Sequence, residues 1–140
     1  MNIFPFLTLK SDTKFLIDTC TLRQALEKME FYRYSVIPLL DESGRYIGTL
    51  SEGDLLRHVK KDLDFDLTKG EDVPISDIPR YRSYKPLSME STLEELIELA
   101  MEQNFIPMVD DRGVFMGIIR RRTLLEYCKK ELRDSLKEAL

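Results

Sequence analysis

Five residues recur at one fixed shift along the chain. Pro38, Asp41, Gly44, Gly48 and Leu56 return as Pro107, Asp110, Gly113, Gly117 and Leu125, each 69 positions further on. The stretch from Ser35 to Gly48 is answered by Asn104 to Gly117, with apolar residues and turn residues in the same places. A chain of 140 residues built this way is two half-size units, 1–69 and 70–140, neither of which buries an adequate core alone. Each unit exposes one apolar sheet face, so the copies are expected to pack sheet against sheet in an α+β fold.

In the first copy Thr21 precedes Leu22, Ala25, Leu26 and Met29, an apolar stripe at helical spacing with Gln24 able to complete a capping box. Ser35–Leu40 reads as a short strand whose Pro38 must fall where an N–H is not needed. Asp41–Gly44 is a turn, Tyr46–Leu50 a second strand, and Leu55, Leu56 and Val59 line a helix whose first turn is set by Ser51. The second copy repeats the order: a helix from Thr92, a strand Phe105–Val109, a turn Asp110–Gly113, a strand Phe115–Ile119 and a closing helix through Leu124, Leu125 and Cys128. Its passage from Thr92 to Pro107 is two residues shorter than that from Thr21 to Pro38. Lys60–Ser76 reads as a charged surface connection, followed by an extended Arg80–Tyr84. Leu125, Cys128, Leu132, Leu136 and Leu140 carry an apolar stripe beyond what one repeat needs, which points to a packing or dimer surface.

Composition narrows the function classes. A net charge of −4 argues against general nucleic-acid binding, which needs a basic face. No apolar stretch approaches the roughly 18 residues of a membrane span, and the opening Met1–Leu7 carries no charged leader, so no signal peptide is expected. Cys20 and Cys128 lack metal-like spacing and read as reduced cytoplasmic thiols. His58 is the sole histidine, and no acid–base pair, nucleophile triad or phosphate loop is present, so catalysis and a catalytic cofactor are not expected.

The copies diverge after the second glycine. Gly48 is followed by Thr49-Leu50-Ser51-Glu52-Gly53-Asp54, whereas Gly117 is followed by Ile118-Ile119-Arg120-Arg121-Arg122-Thr123. One offers hydroxyls and a carboxylate, the other three guanidinium groups. An Asp in a first helical turn can accept from both hydroxyls of a ribose. A Ser at a strand-to-helix junction sits beside free helical N–H groups, where phosphate is favoured, and Gly48 permits close backbone approach. Ser and Asp at a helix start also serve simply as caps. Three arginines at a helix N-terminus oppose the helix dipole, and an anion there would offset them. Arginine can fork onto phosphate oxygens.

This helix–strand–turn–strand–helix unit in tandem resembles a pair of CBS (cystathionine-β-synthase-type) domains. The resemblance is carried by Thr21-Leu22 with Ala25-Leu26, Ile37-Pro38, Asp41 with Gly44, and the segment Gly48 to Asp54, which is similar to the family's nucleotide fingerprint. Ile78-Pro79-Arg80 and Gly117–Arg122 are also similar to small stand-alone Firmicutes CBS proteins that bind cyclic di-AMP, relatives that tend to lack an Asp at the place of Asp54. The resemblance implies two motifs related by a pseudo-twofold and a regulatory module binding AMP, ADP or ATP without catalysis. Cyclic di-AMP binding, or a structural dimerisation and docking role without ligand, are the alternatives. The implied ligand-binding set is Leu16, Tyr34, Ser35, Ile37, Pro38, Gly48, Thr49, Ser51 and Asp54, with Arg120, Arg121 and Arg122 reaching phosphate. A homodimer and an unidentified effector protein are the implied partners.

Overall fold

The computed structural model describes residues 1–61 and 69–139. Its strands are β1 (Leu7–Leu9), β2 (Leu16–Ile17), β3 (Val36–Leu40), β4 (Tyr46–Ser51), β5 (Leu87–Ser88), β6 (Phe105–Val109) and β7 (Phe115–Arg120). Its α-helices are α1 (Leu22–Tyr32), α2 (Glu52–Lys61), α3 (Leu93–Ala100) and α4 (Arg121–Ala139). One sheet runs β2-β3-β4 and the other β1-β7-β6-β5.

The expected elements form where the pattern put them. Thr21 caps α1 by accepting from the Gln24 N–H while the Gln24 side chain accepts from Thr21 N–H, a reciprocal box. Thr92 accepts from the Glu95 N–H in the same way. The shorter second passage is taken out of the helix itself, since α3 has 8 residues and α1 has 11. Pro38 and Pro107 each stand one position before the short parallel strand β2 or β5 begins to pair, so neither lacks an N–H along that ladder.

Strand alternation sorts the side chains into three apolar layers. Ile37, Leu39 and Leu50 face α1 and α2, while Ile106, Met108 and Ile119 face α3 and α4. Val36, Leu40, Tyr46, Tyr84, Phe105, Phe115 and Ile118 lie between the sheets, with Phe15 and Ile17. The pseudo-twofold is visible in the backbone. Tyr46 N–H donates to Gly113 and Phe115 N–H to Gly44, a reciprocal pair flanking the bridge of Arg45 with Val114. Arg45 and Val114 are each other's equivalents, and the 69-residue shift turns one of the two flanking hydrogen bonds into the other.

The two chain segments do not each build their own core. β1 pairs antiparallel with β7 of the second sheet, and Ile3 is buried in the second copy's helix-side core. In exchange, Ile75 and Ile78 are buried in the first copy's core beside α1. That corrects the reading of the connection before Ser76 as a surface segment. Leu22 N–H donates to Val73, Ile75 N–H donates to Cys20, and Arg23 pairs with Glu71, so residues 70–78 are stitched onto α1. The part of that connection between 62 and 68 lies outside the described residues.

Candidate functional site

The fingerprint of the first copy is built where β4 runs into α2. Ser51 Oγ accepts from Asp54 N–H at 3.1 Å, and the Asp54 carboxylate accepts from Ser51 N–H at 3.0 Å, a reciprocal cap on α2. Asp54 is 2% exposed. Its other oxygen accepts from the Arg57 guanidinium at 2.7 Å and from the Tyr81 N–H at 2.9 Å. Burial pushes this carboxyl up, but the backbone N–H groups of Tyr81 and Ser51, the Ser51 hydroxyl and Arg57 outweigh burial and hold it below the ordinary carboxylate range.

The segment Arg80–Tyr84 lies directly over this fingerprint. Tyr84 N–H donates to the Thr49 hydroxyl at 2.9 Å, and the Arg57 guanidinium stands 4.9 Å from the centre of the Tyr81 ring. Arg80 donates to the Ile47 carbonyl at 3.4 Å. Gly48 has φ of +148°, and a β-carbon there would stand 2.6 Å from the Ser83 hydroxyl. The close approach that this glycine permits is therefore taken by the chain itself.

A second feature opens between the copies. A cleft of about 420 Å³ is walled by Tyr32 to Val36 from the first copy and by Asn104, Phe105, Ile118, Arg120 and Arg122 from the second. Its floor is apolar and its rim is cationic. Arg33 adds a third guanidinium to the lining and is the one non-glycine residue with positive φ among the described residues, +57°, where α1 ends in a left-handed cap.

The residues expected to bind ligand are thus divided. Tyr34, Ser35, Arg120 and Arg122 come together in the cleft. Gly48, Thr49, Ser51 and Asp54 lie under Arg80–Tyr84, away from the cleft lining. Ile37 and Leu16 are buried in the helix-side core, and Pro38 is buried within β3. Arg121 points to α3: its Nε donates to the carbonyls of Ala100 at 2.7 Å and Gln103 at 3.2 Å, satisfying that helix end. Arg122 pairs with Glu126 at 3.0 Å on the exposed face of α4.

Sequence reasoning missed Tyr81, Tyr84, Arg57, Tyr32, Arg33 and Gln103. Arg57, three residues after Asp54, is at ion-pair spacing on a helix, a signal that was available. Gln103 gave none. Its buried amide accepts from Lys85 N–H at 2.7 Å and donates back to the Lys85 carbonyl at 3.1 Å, tying down the chain that leads into β5. Among the described residues no group of His, Cys, Asp and Glu is arranged to hold a metal, and no helix is long and apolar enough to cross a membrane.

The model of the CBS domain family matches residues 5–61 and 72–130. The fold is similar to that of CbpB in complex with c-di-AMP, with a TM-score of 0.84 at 20% identity over 99% of this chain and 91% of that one. It is also similar to CBSX2 in complex with AMP, with a TM-score of 0.71 at 21% identity over 90% of this chain and 94% of that one. In sequence, the homoserine O-acetyltransferase of Methanohalophilus mahii is 30% identical over 119 residues, 83% of this chain but 22% of that protein. The chain therefore spans less than a quarter of that relative's length. With both repeats matched and their fold, fingerprint and intermotif cleft in place, this chain belongs to the CBS domain family.

Proposed function

We propose that the chain is a regulatory nucleotide-binding module without catalysis, and that it takes an adenine nucleotide in the cleft between its two motifs. One observation carries this: the cleft joins an apolar floor, suited to a base, to the Arg120 and Arg122 guanidinium groups, suited to phosphate. The likeness to CBSX2 in complex with AMP supports the same reading. A bound nucleotide would touch both motifs at once and so bias how they sit, which is what a regulatory module requires. The chain would act in the cytoplasm, passing the bound state to an effector protein.

Cyclic di-AMP is the second reading, and a specific observation favours it. The cleft takes Ser35-Val36 from one copy and the equivalent Asn104-Phe105 from the other, so it offers two comparable walls to a ligand with two adenines. The likeness to CbpB in complex with c-di-AMP points the same way.

Calorimetric titration of adenosine, AMP, ATP and cyclic di-AMP tests both. Arg120→Gln with Arg122→Gln should weaken the phosphorylated ligands about tenfold or more while sparing adenosine, because only phosphate loses partners. Absence of binding by all four, or equal losses for all four, would exclude the cleft as the site.

A further inference from the structure

Resting on the nucleotide-binding reading, but at a second site outside the cleft, we propose that Arg80–Tyr84 is a displaceable strap that holds the Asp54 pocket shut until a ribose takes its place. A carboxylate offers about four lone-pair sites. Three at Asp54 are taken by Ser51 N–H, Arg57 and Tyr81 N–H, so the two hydroxyls of a ribose find one position open. The Ser51 bond belongs to the helix cap. The bond to yield is the one from Tyr81.

The strap is built to yield. Pro79, Arg80, Tyr81, Arg82 and Ser83 are all exposed, between the buried anchor Ile78 and the half-buried Tyr84, which meets Phe105 edge-on at 4.9 Å. Its hold on the first motif is therefore a handful of polar contacts to Asp54, Thr49, Tyr46 and Ile47 plus the Arg57–Tyr81 stack, with little apolar area to re-expose on opening. The equivalent edge of the second motif is covered quite differently. There β1 lies in register along β7 as a true strand, Leu7 opposite Ile119 and Leu9 opposite Gly117, and the position of the strap's anchoring carboxylate is Thr123. One motif is closed by a sheet ladder and the other by a latch.

The experiment follows tryptic cleavage after Arg80 and Arg82, together with calorimetry, in wild type, Arg57→Gln and Tyr81→Ala. Adenosine is the main probe because it has a ribose and no phosphate for the arginine cleft. Without ligand, both variants should be cut about fivefold faster than wild type, the change that loss of the Arg57–Tyr81 cation–π contact brings. They should also bind adenosine about fivefold more tightly, and saturating adenosine should speed cleavage of wild type. Equal cleavage rates without ligand, or adenosine that protects these bonds and binds the variants no better, would overturn the strap. If AMP and cyclic di-AMP bind while adenosine neither binds nor alters cleavage, the strap falls and the nucleotide reading stands. If no nucleotide binds any variant, the nucleotide reading fails, and a strap with no ligand to admit fails with it.

Discussion

Arg121 donates its Nε–H to the carbonyl of Ala100 at 2.7 Å, so the first residue of α4 closes the last turn of α3. Charge complements the helix C-terminus here, and the bond ties together the two helices that flank one side of the second sheet. Arg121→Gln should cost about 1–2 kcal/mol of stability, seen as a melting temperature lowered by roughly 3–6 °C. The same change should leave nucleotide affinity within about twofold, since the Arg121 side chain turns to α3 and not into the cleft lining. A large affinity loss with unchanged melting would show Arg121 acting on ligand instead.

Asp54 makes stability depend on acid. Its folded pKa lies below the ordinary value, so its contribution is full above the unfolded carboxylate pKa and is lost as pH falls through the folded one. Asp54→Asn should therefore melt lower than wild type at neutral pH, by the equivalent of about 1–2 kcal/mol. The gap should narrow once the pH drops below about 4. Thermal scans of both proteins from pH 7 to pH 2.5 decide this, and a constant gap would separate the effect from the carboxylate charge.

Occupation of the arginine cleft should stabilise the protein by mass action. A ligand at a hundred times its dissociation constant adds about 2.7 kcal/mol, visible as a rising melting temperature. Added salt should weaken the phosphorylated ligands more than adenosine, because screening acts on exposed charge pairs. Arg120 is exposed and Arg122 is held by Glu126 alone among the described residues, so both are accessible to such screening.

Leu125, Leu132 and Leu136 stay more than half exposed along α4. Apolar grooves also open between α3 and α4, at Ile97, Met101 and Leu125, and between α1 and α2, at Leu26, Leu56 and Val59. We expect a homodimer that covers these helices. Sedimentation at micromolar concentration should give twice the mass of the chain, and Leu132→Glu with Leu136→Glu should shift it toward the monomer. A wild-type monomer at that concentration would refute the expectation.

Most of the fold was legible because its signals are local and come twice. Asp41-Glu42-Ser43-Gly44 and Asp110-Asp111-Arg112-Gly113 each spell a turn, and the Asp41 and Asp110 carboxylates accept from the backbone N–H two and four residues on. Ile75 and Ile78 were hidden because charged neighbours dilute their apolar character, and only the partner surface of α1 selects them for burial. The site was harder. The fingerprint showed which groups could meet a ribose, but the chain's own Tyr81 competes for the same carboxylate, and a backbone N–H has no signature in a sequence. Arg121 and Arg122 look alike as letters. One turns toward a helix end and the other toward solvent, because successive helical positions diverge by about 100°.

The pairing of β1 with β7 sets a limit on the order of events during synthesis. Leu7 leaves the ribosome well ahead of Ile119, so β1 has no strand to pair with until β7 has emerged. Until then Ile3 has no core to enter and residues 1–9 remain an unpacked apolar segment. Removing those residues would expose the β7 edge as an open template for another chain, so a shortened protein should aggregate rather than merely lose stability.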